Sequence, residues 1–161
     1  MRSDQFGEHG IGRRHLTLGR RTGSPEDGQF TDVRKLLEVL QADLMIGLYI
    51  TDTDPIGGVS DGIYFRKDDG SAVLSLVGEK NSVESVAAVA TLVADTYVAV
   101  EFYYDGSDDK IRAYVNGALA GSIPLTNVVD DEEIALSFVI QNGQAVANVL
   151  TIDYIGASQQ R

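Results

Sequence analysis

From residue 44 onward the chain alternates apolar and polar positions with a period of two, broken at short intervals by turn residues. "TYVAVEFYYD" (96–105) shows it best. Tyr97, Ala99, Glu101 and Tyr103 fall on one face, and Val98, Val100, Phe102 and Tyr104 on the other. "LMIGLYIT" (44–51) is apolar almost throughout, the pattern of a strand buried on both faces. Further strands are predicted at 63–67, 71–80, 82–90, 110–116, 118–125, 133–141 and 145–155. The Asp-, Gly- and Pro-rich stretch 51–62 is predicted as a loop. Short strands with a turn signal every 8–12 residues or so predict an antiparallel β-sandwich or jelly roll. No helix-period segment interrupts them, which argues against an α/β fold.

Two turn signals sit in "YYDGSDDKIRAYVNGALAGSIPL" (103–125): Asp105-Gly106 and Asn116-Gly117. Asn-Gly takes φ > 0 at both central positions, as a type I′ hairpin turn requires. It fixes a register with Ile111, Ala113 and Val115 on one face and Arg112 and Tyr114 on the other.

The front of the chain follows different rules. Residues 1–29 hold six Gly, one Pro and no sustained periodicity, and are expected to form an irregular arm ahead of a sandwich over 30–161. Within the arm Leu16 and Leu18 alternate, so this piece is suited to add as a strand to a neighbour's sheet edge. In "FTDVRKLLEVLQADL" (30–44), Val33, Leu36, Leu37, Leu40 and Leu44 have helical spacing behind Thr31 as an N-cap, yet 30–36 also fits a strand.

Charge separates the two regions. The net charge is −11. Residues 1–24 carry Arg2, Arg13, Arg14, Arg20 and Arg21 against Asp4 and Glu8, whereas from residue 41 six Lys/Arg face 18 Asp/Glu. An acidic body repels phosphates and disfavours nucleic acid as a partner. No apolar run approaches the roughly 20 residues of a membrane helix, and the N-terminus has no apolar core of a secretory signal. There is no Cys and no Trp, and the only His residues are His9 and His15, both in the arm. Thiolate chemistry is thereby excluded, and a His-based catalytic triad has little to draw on.

Taken with "LMIGLYITDTDP", "SDGIYFRKDDGSAVLSLVGEKNS", "IQNG" (140–143) and "TIDYI" (151–155), the fragment "FYYDGSDDKIRAYVNGALAGSI" resembles the laminin-G/concanavalin-A-like jelly roll. More narrowly, residues 43–157 resemble a family of tailed-bacteriophage virion proteins. The resemblance implies a concanavalin-A-like β-sandwich and a non-enzymatic accessory role, such as capsid decoration. It implies a component of the virion and does not by itself give the position on the particle; the expected address is the capsid surface after assembly in the bacterial cytoplasm, with capsid protein and further copies of the chain as partners. Family members have more β-structure before the "MIGLYITDT" strand, including a leading strand that pairs near the C-terminus. This favours a strand over a helix at 30–36. It also predicts an open edge, to be completed by the arm or by a neighbouring copy. Arg13, Arg14, Leu16, Leu18, Arg20 and Arg21 are then the candidate partner-binding residues.

The remaining candidates compete with plainer explanations. The Asp-rich turns suit solvated loops, and secondarily a weak calcium site at Asp52, Asp54 and Asp61; the EF-hand spacing is absent. A glycosidase needs two carboxylates across a cleft, and the strand neighbours of Glu101 supply no second catalytic carboxylate. A lectin-like site for host or surface glycans could draw on Tyr103, Tyr104, Tyr114, Tyr154, Asn116 and Asn142.

Overall fold

The computed structural model of the protein describes residues 14–18, 41–50, 54–104, 108–145 and 147–159. Among the described residues, ten strands form two five-stranded antiparallel sheets. The strands are β1 (Arg14–Leu18), β2 (Ala42–Tyr49), β3 (Gly62–Lys67), β4 (Val73–Lys80), β5 (Val83–Thr91), β6 (Val100–Tyr104), β7 (Lys110–Val115), β8 (Ala118–Pro124), β9 (Ala135–Asn142) and β10 (Ile155–Gln159). The first sheet runs β10-β1-β6-β7-β8 and the second β5-β4-β3-β2-β9. Pairing of β1 with β10 encloses pairing of β2 with β9, so the chain wraps as a jelly roll.

The predicted periodicity decides what is buried. Val100, Phe102 and Tyr104 of β6, with Ile111 and Ala113 of β7, face Leu44 and Ile46 of β2, Ile63 and Phe65 of β3, and Leu74 and Leu76 of β4. Phe65 and Phe102 meet across the sandwich with ring centroids 6.0 Å apart. Each such ring contributes about 1.5–3 kcal/mol through burial. A second apolar cluster lies on the outer face of the second sheet: Met45, Tyr49, Tyr64 and Val77, flanked by Val59 and Val139. The continuous apolar run of β2 therefore does cover two buried faces. Gly47 completes this arrangement, because a Cβ there would lie 2.4 Å from Tyr64 Cα on the neighbouring strand.

Three parts of the chain depart from expectation. Residues 14–18, read as part of an irregular arm, form β1 inside the first sheet, hydrogen-bonded to β6 on one side and β10 on the other. The strand joins this chain's own sheet, where two flanking strands pair with its backbone on both sides. A leading strand paired near the C-terminus is thus present. Second, residues 147–154 of the expected strand 145–155 have no regular structure, and pairing resumes only at Ile155. The segment crosses between the sheets, so it cannot lie along either ladder, while Leu150 and Ile152 pack against the core. Third, residues 96–99 stand outside β6, and the loop 51–62 contains a single helical turn, α1 (Pro55–Gly58). The helix-or-strand choice at 30–36 and the domain boundary at residue 30 lie outside the described residues.

Both tight hairpins use left-handed backbone. Asn116 and Gly117 join β7 to β8 with φ of 51° and 79°, as their sequence predicts. Asn81 and Ser82 join β4 to β5 with φ of 51° and 63°, although Ser has no preference for that region. An added Cβ at Gly117 meets nothing within 4 Å, so its cost is conformational alone. Gly117→Ala is expected to destabilise the fold by about 1 kcal/mol, and Ser82→Gly to stabilise it by up to about 1 kcal/mol. Urea denaturation measures both; effects of equal sign would contradict this account of the two turns.

Candidate functional site

The charged residues buried in the sandwich join its parts. Asp61 lies just ahead of β3 and is 5% exposed. Its carboxylate accepts from Ser60 Oγ at 2.7 Å and from the Asn81 backbone N–H at 3.0 Å. The Ser82 N–H donates to the Ser60 carbonyl at 2.9 Å. The 59–61 loop thus braces the strained Asn81-Ser82 turn. Lys67 is fully buried at the end of β3 and donates through Nζ to the carbonyls of Ala42 and Asp68. Burial lowers its pKa, against the opposing pull of Asp43, Asp69 and Asp68. On the outer face of the second sheet, Tyr64 Oη donates to Glu79 Oε2 at 2.5 Å. Burial raises the pKa of Glu79, and burial with the Glu79 contact raises that of Tyr64. Arg66 forms a two-point ion pair with Glu84 across β4 and a further contact to Asp68 at 3.1 Å.

A different region has the shape of a binding site. A cavity of about 330 Å³ opens between the sheets where the chain enters β6 and where 150–154 crosses over. Leu44, Ile46, Phe65, Leu74, Leu92 and Val100 form its apolar floor, and each is at most 6% exposed. Its rim carries Tyr97, Asn116, Thr151, Asp153 and Tyr154. The two tyrosines are 40% and 43% exposed. The Asn116 N–H donates to the Ala99 carbonyl at 2.8 Å, and its Oδ1 accepts from the Ala99 N–H at 3.0 Å. Asn116 therefore shapes the hairpin and also fastens the rim loop 96–99. Among the described lining residues Asp153 is the one carboxylate, so the cavity lacks the facing pair that glycoside hydrolysis requires. An apolar floor with a few polar rim groups is an arrangement for binding.

The residues singled out in the sequence are dispersed. Arg14, Leu16 and Leu18 lie in β1, opposite Tyr104, Phe102 and Val100 of β6. Arg13, Arg20, Arg21, Asp52, Asp105 and Gly106 lie outside the described residues. Asp54 caps α1, accepting from the Gly57 N–H at 3.3 Å, and Asp61 holds the Asn81 turn. Among the described residues no group of three His, Asp or Glu is gathered to hold a metal ion. Of the tyrosines proposed for a lectin-like surface, Tyr104 is a core residue, and only Tyr154 lines the cavity. Tyr97, which the sequence assigned only to a strand face, lies beside the same cavity because its segment leaves the ladder.

No protein-family model matches this chain, and no curated protein matches it. Among solved structures it is similar to the carbohydrate-binding module CBM66 from Bacillus subtilis, at 14% identity and a TM-score of 0.39, over 92% of this chain and 70% of that one.

Burial of Glu79 sets a pH dependence, against the opposing effect of the hydrogen bond from Tyr64. A raised carboxyl pKa means that the folded chain holds this proton more tightly than the unfolded chain. Its contribution to stability is complete below the ordinary value of 4.5 and is lost as pH rises through the folded value. Glu79→Gln keeps an acceptor for Tyr64 but carries no charge. The melting temperature of Glu79→Gln relative to the native chain should climb as pH rises from about 4 to 8; parallel curves would show that the fold does not raise the Glu79 pKa.

Proposed function

We propose that this chain is an accessory structural protein of a bacteriophage particle, a non-catalytic domain bound at the capsid surface. The single observation that favours it is the use made of interior charge. Lys67, Asp61 and Glu79, the charged residues among those buried, each bond to a neighbouring strand, loop or turn. They fasten the scaffold, which suits a part whose task is to hold shape and present surfaces. The resemblance of residues 43–157 to phage virion proteins points the same way. The acidic body would keep the protein off nucleic acid, and the arginines around β1 would meet an acidic surface on the particle.

This role predicts that the protein copurifies with assembled particles at a fixed ratio to capsid protein. Replacing Arg13, Arg14, Arg20 and Arg21 together by Ala should lower that ratio, more so at low salt than at high salt, where the native contact is already screened. Absence from purified particles would reject the role. An unchanged ratio across salt would reject the arginine anchor alone.

A second use, glycan binding, is favoured by the exposed pair Tyr97 and Tyr154 beside Asp153 at the cavity rim. Sugars stack on such rings and bond to such carboxylates. A glycan array should give a signal that the double variant Tyr97→Ala/Tyr154→Ala loses; a signal that survives it would place any sugar site elsewhere.

A further inference from the structure

The edges of the two sheets are guarded unequally. Edge strand β8 ends in Pro124, and β5 carries Glu84, held by Arg66, and pairs through an irregular register near Leu74. Both are ordinary protections of an edge. β9, "ALSFVIQN", has no charge and no proline, and among the described residues it pairs only with β2.

The register sharpens the contrast. Phe138 lies opposite Ile46 and Leu136 opposite Leu48, so both side chains point to the inter-sheet side. Yet Phe138 is 59% exposed and Leu136 40%. Val139, on the other face, packs against the outer cluster. Among the described residues, the inward face of β9 is thus apolar and exposed, at a backbone edge that no described strand pairs.

We propose that β9 is a self-association edge, where a second copy of this chain pairs its own β9 antiparallel to the first. The strand is self-complementary about Phe138. A two-fold axis there sets Phe138 against Phe138 of the second copy and Leu136 against Ile140, all on one face. Charge selects the same direction. Asp130, Asp131, Glu132 and Glu133 lie immediately before β9. Antiparallel pairing keeps the two acidic runs at opposite ends, beside the uncharged Gln141 and Asn142, whereas parallel pairing would set them side by side. With a net charge of −11 on each copy, that separation matters. The result is one ten-stranded sheet across two sandwiches. This association does not depend on the particle role.

Sedimentation velocity of the full chain from about 1 µM to 1 mM should reveal a species of twice 17.3 kDa. Phe138→Lys should weaken association at least tenfold and leave the melting temperature of the monomer unchanged, because the side chain is exposed there. The chain has no cysteine, so a single introduced one reports contact between copies directly. Phe138→Cys should form a disulfide-linked dimer on oxidation. Gln141→Cys should not, since in the antiparallel register its two copies lie roughly 20 Å apart along the strands. A monomer at every concentration would overturn the proposal, as would a dimer that Phe138→Lys leaves intact. Equal cross-linking at both positions would overturn the antiparallel register.

Discussion

Burial of β2 and β3 on both faces is the constraint on which the rest of this structure depends. A strand in a sandwich usually keeps one face in water. Here Leu44, Ile46, Ile63 and Phe65 fill the inter-sheet core, while Met45, Tyr49 and Tyr64 are buried outside it. The outer cluster lies under Val59 and the short α1 loop, and the loop needs an anchor in turn. Asp61 supplies it through the Asn81 turn. Glu79 becomes buried through the same crowding and takes the Tyr64 hydroxyl as its partner. One over-covered pair of strands thus accounts for the loop, the strained turn and two of the buried acids.

Much of this was legible in the chain. Period-two alternation fixed which side of β6 and β7 is core, and the apolar run at 44–51 announced its two buried faces. Asn116-Gly117 announced its turn through residue types that favour positive φ. Other elements left no such mark. Asn81-Ser82 lacks the glycine that usually signals a type I′ turn, because its strain is offset by hydrogen bonds from a loop twenty residues earlier. Leu150 and Ile152 look like strand residues, but apolar side chains at short spacing also serve an irregular crossing that dips into the core. In β1 the alternation was visible and its partner was not, since local pattern cannot say which edge a strand will meet.

The candidate site was less legible than the fold. Its rim joins Tyr97, Asn116 and Tyr154 from three separate stretches. Asn116 serves as turn former and rim fastener at once. Sequence spacing carries no trace of such a meeting when the residues come from loops that face each other only after two sheets have closed.

The place of β1 has a consequence in time. In the first sheet β10 bonds to β1 alone, and β1 separates it from β6. Residues near the front of the chain must therefore wait for residues 155–159 before that sheet is finished, and those residues can dock only on a strand already seated. During synthesis the second sheet can pair β2 through β5 early, because those contacts are close in sequence. The first sheet closes last, through contacts of high sequence separation and correspondingly slow loop closure. Until then the outward edge of β1 is unpaired, and that interval is when a newly made chain is most exposed to pairing with the wrong neighbour.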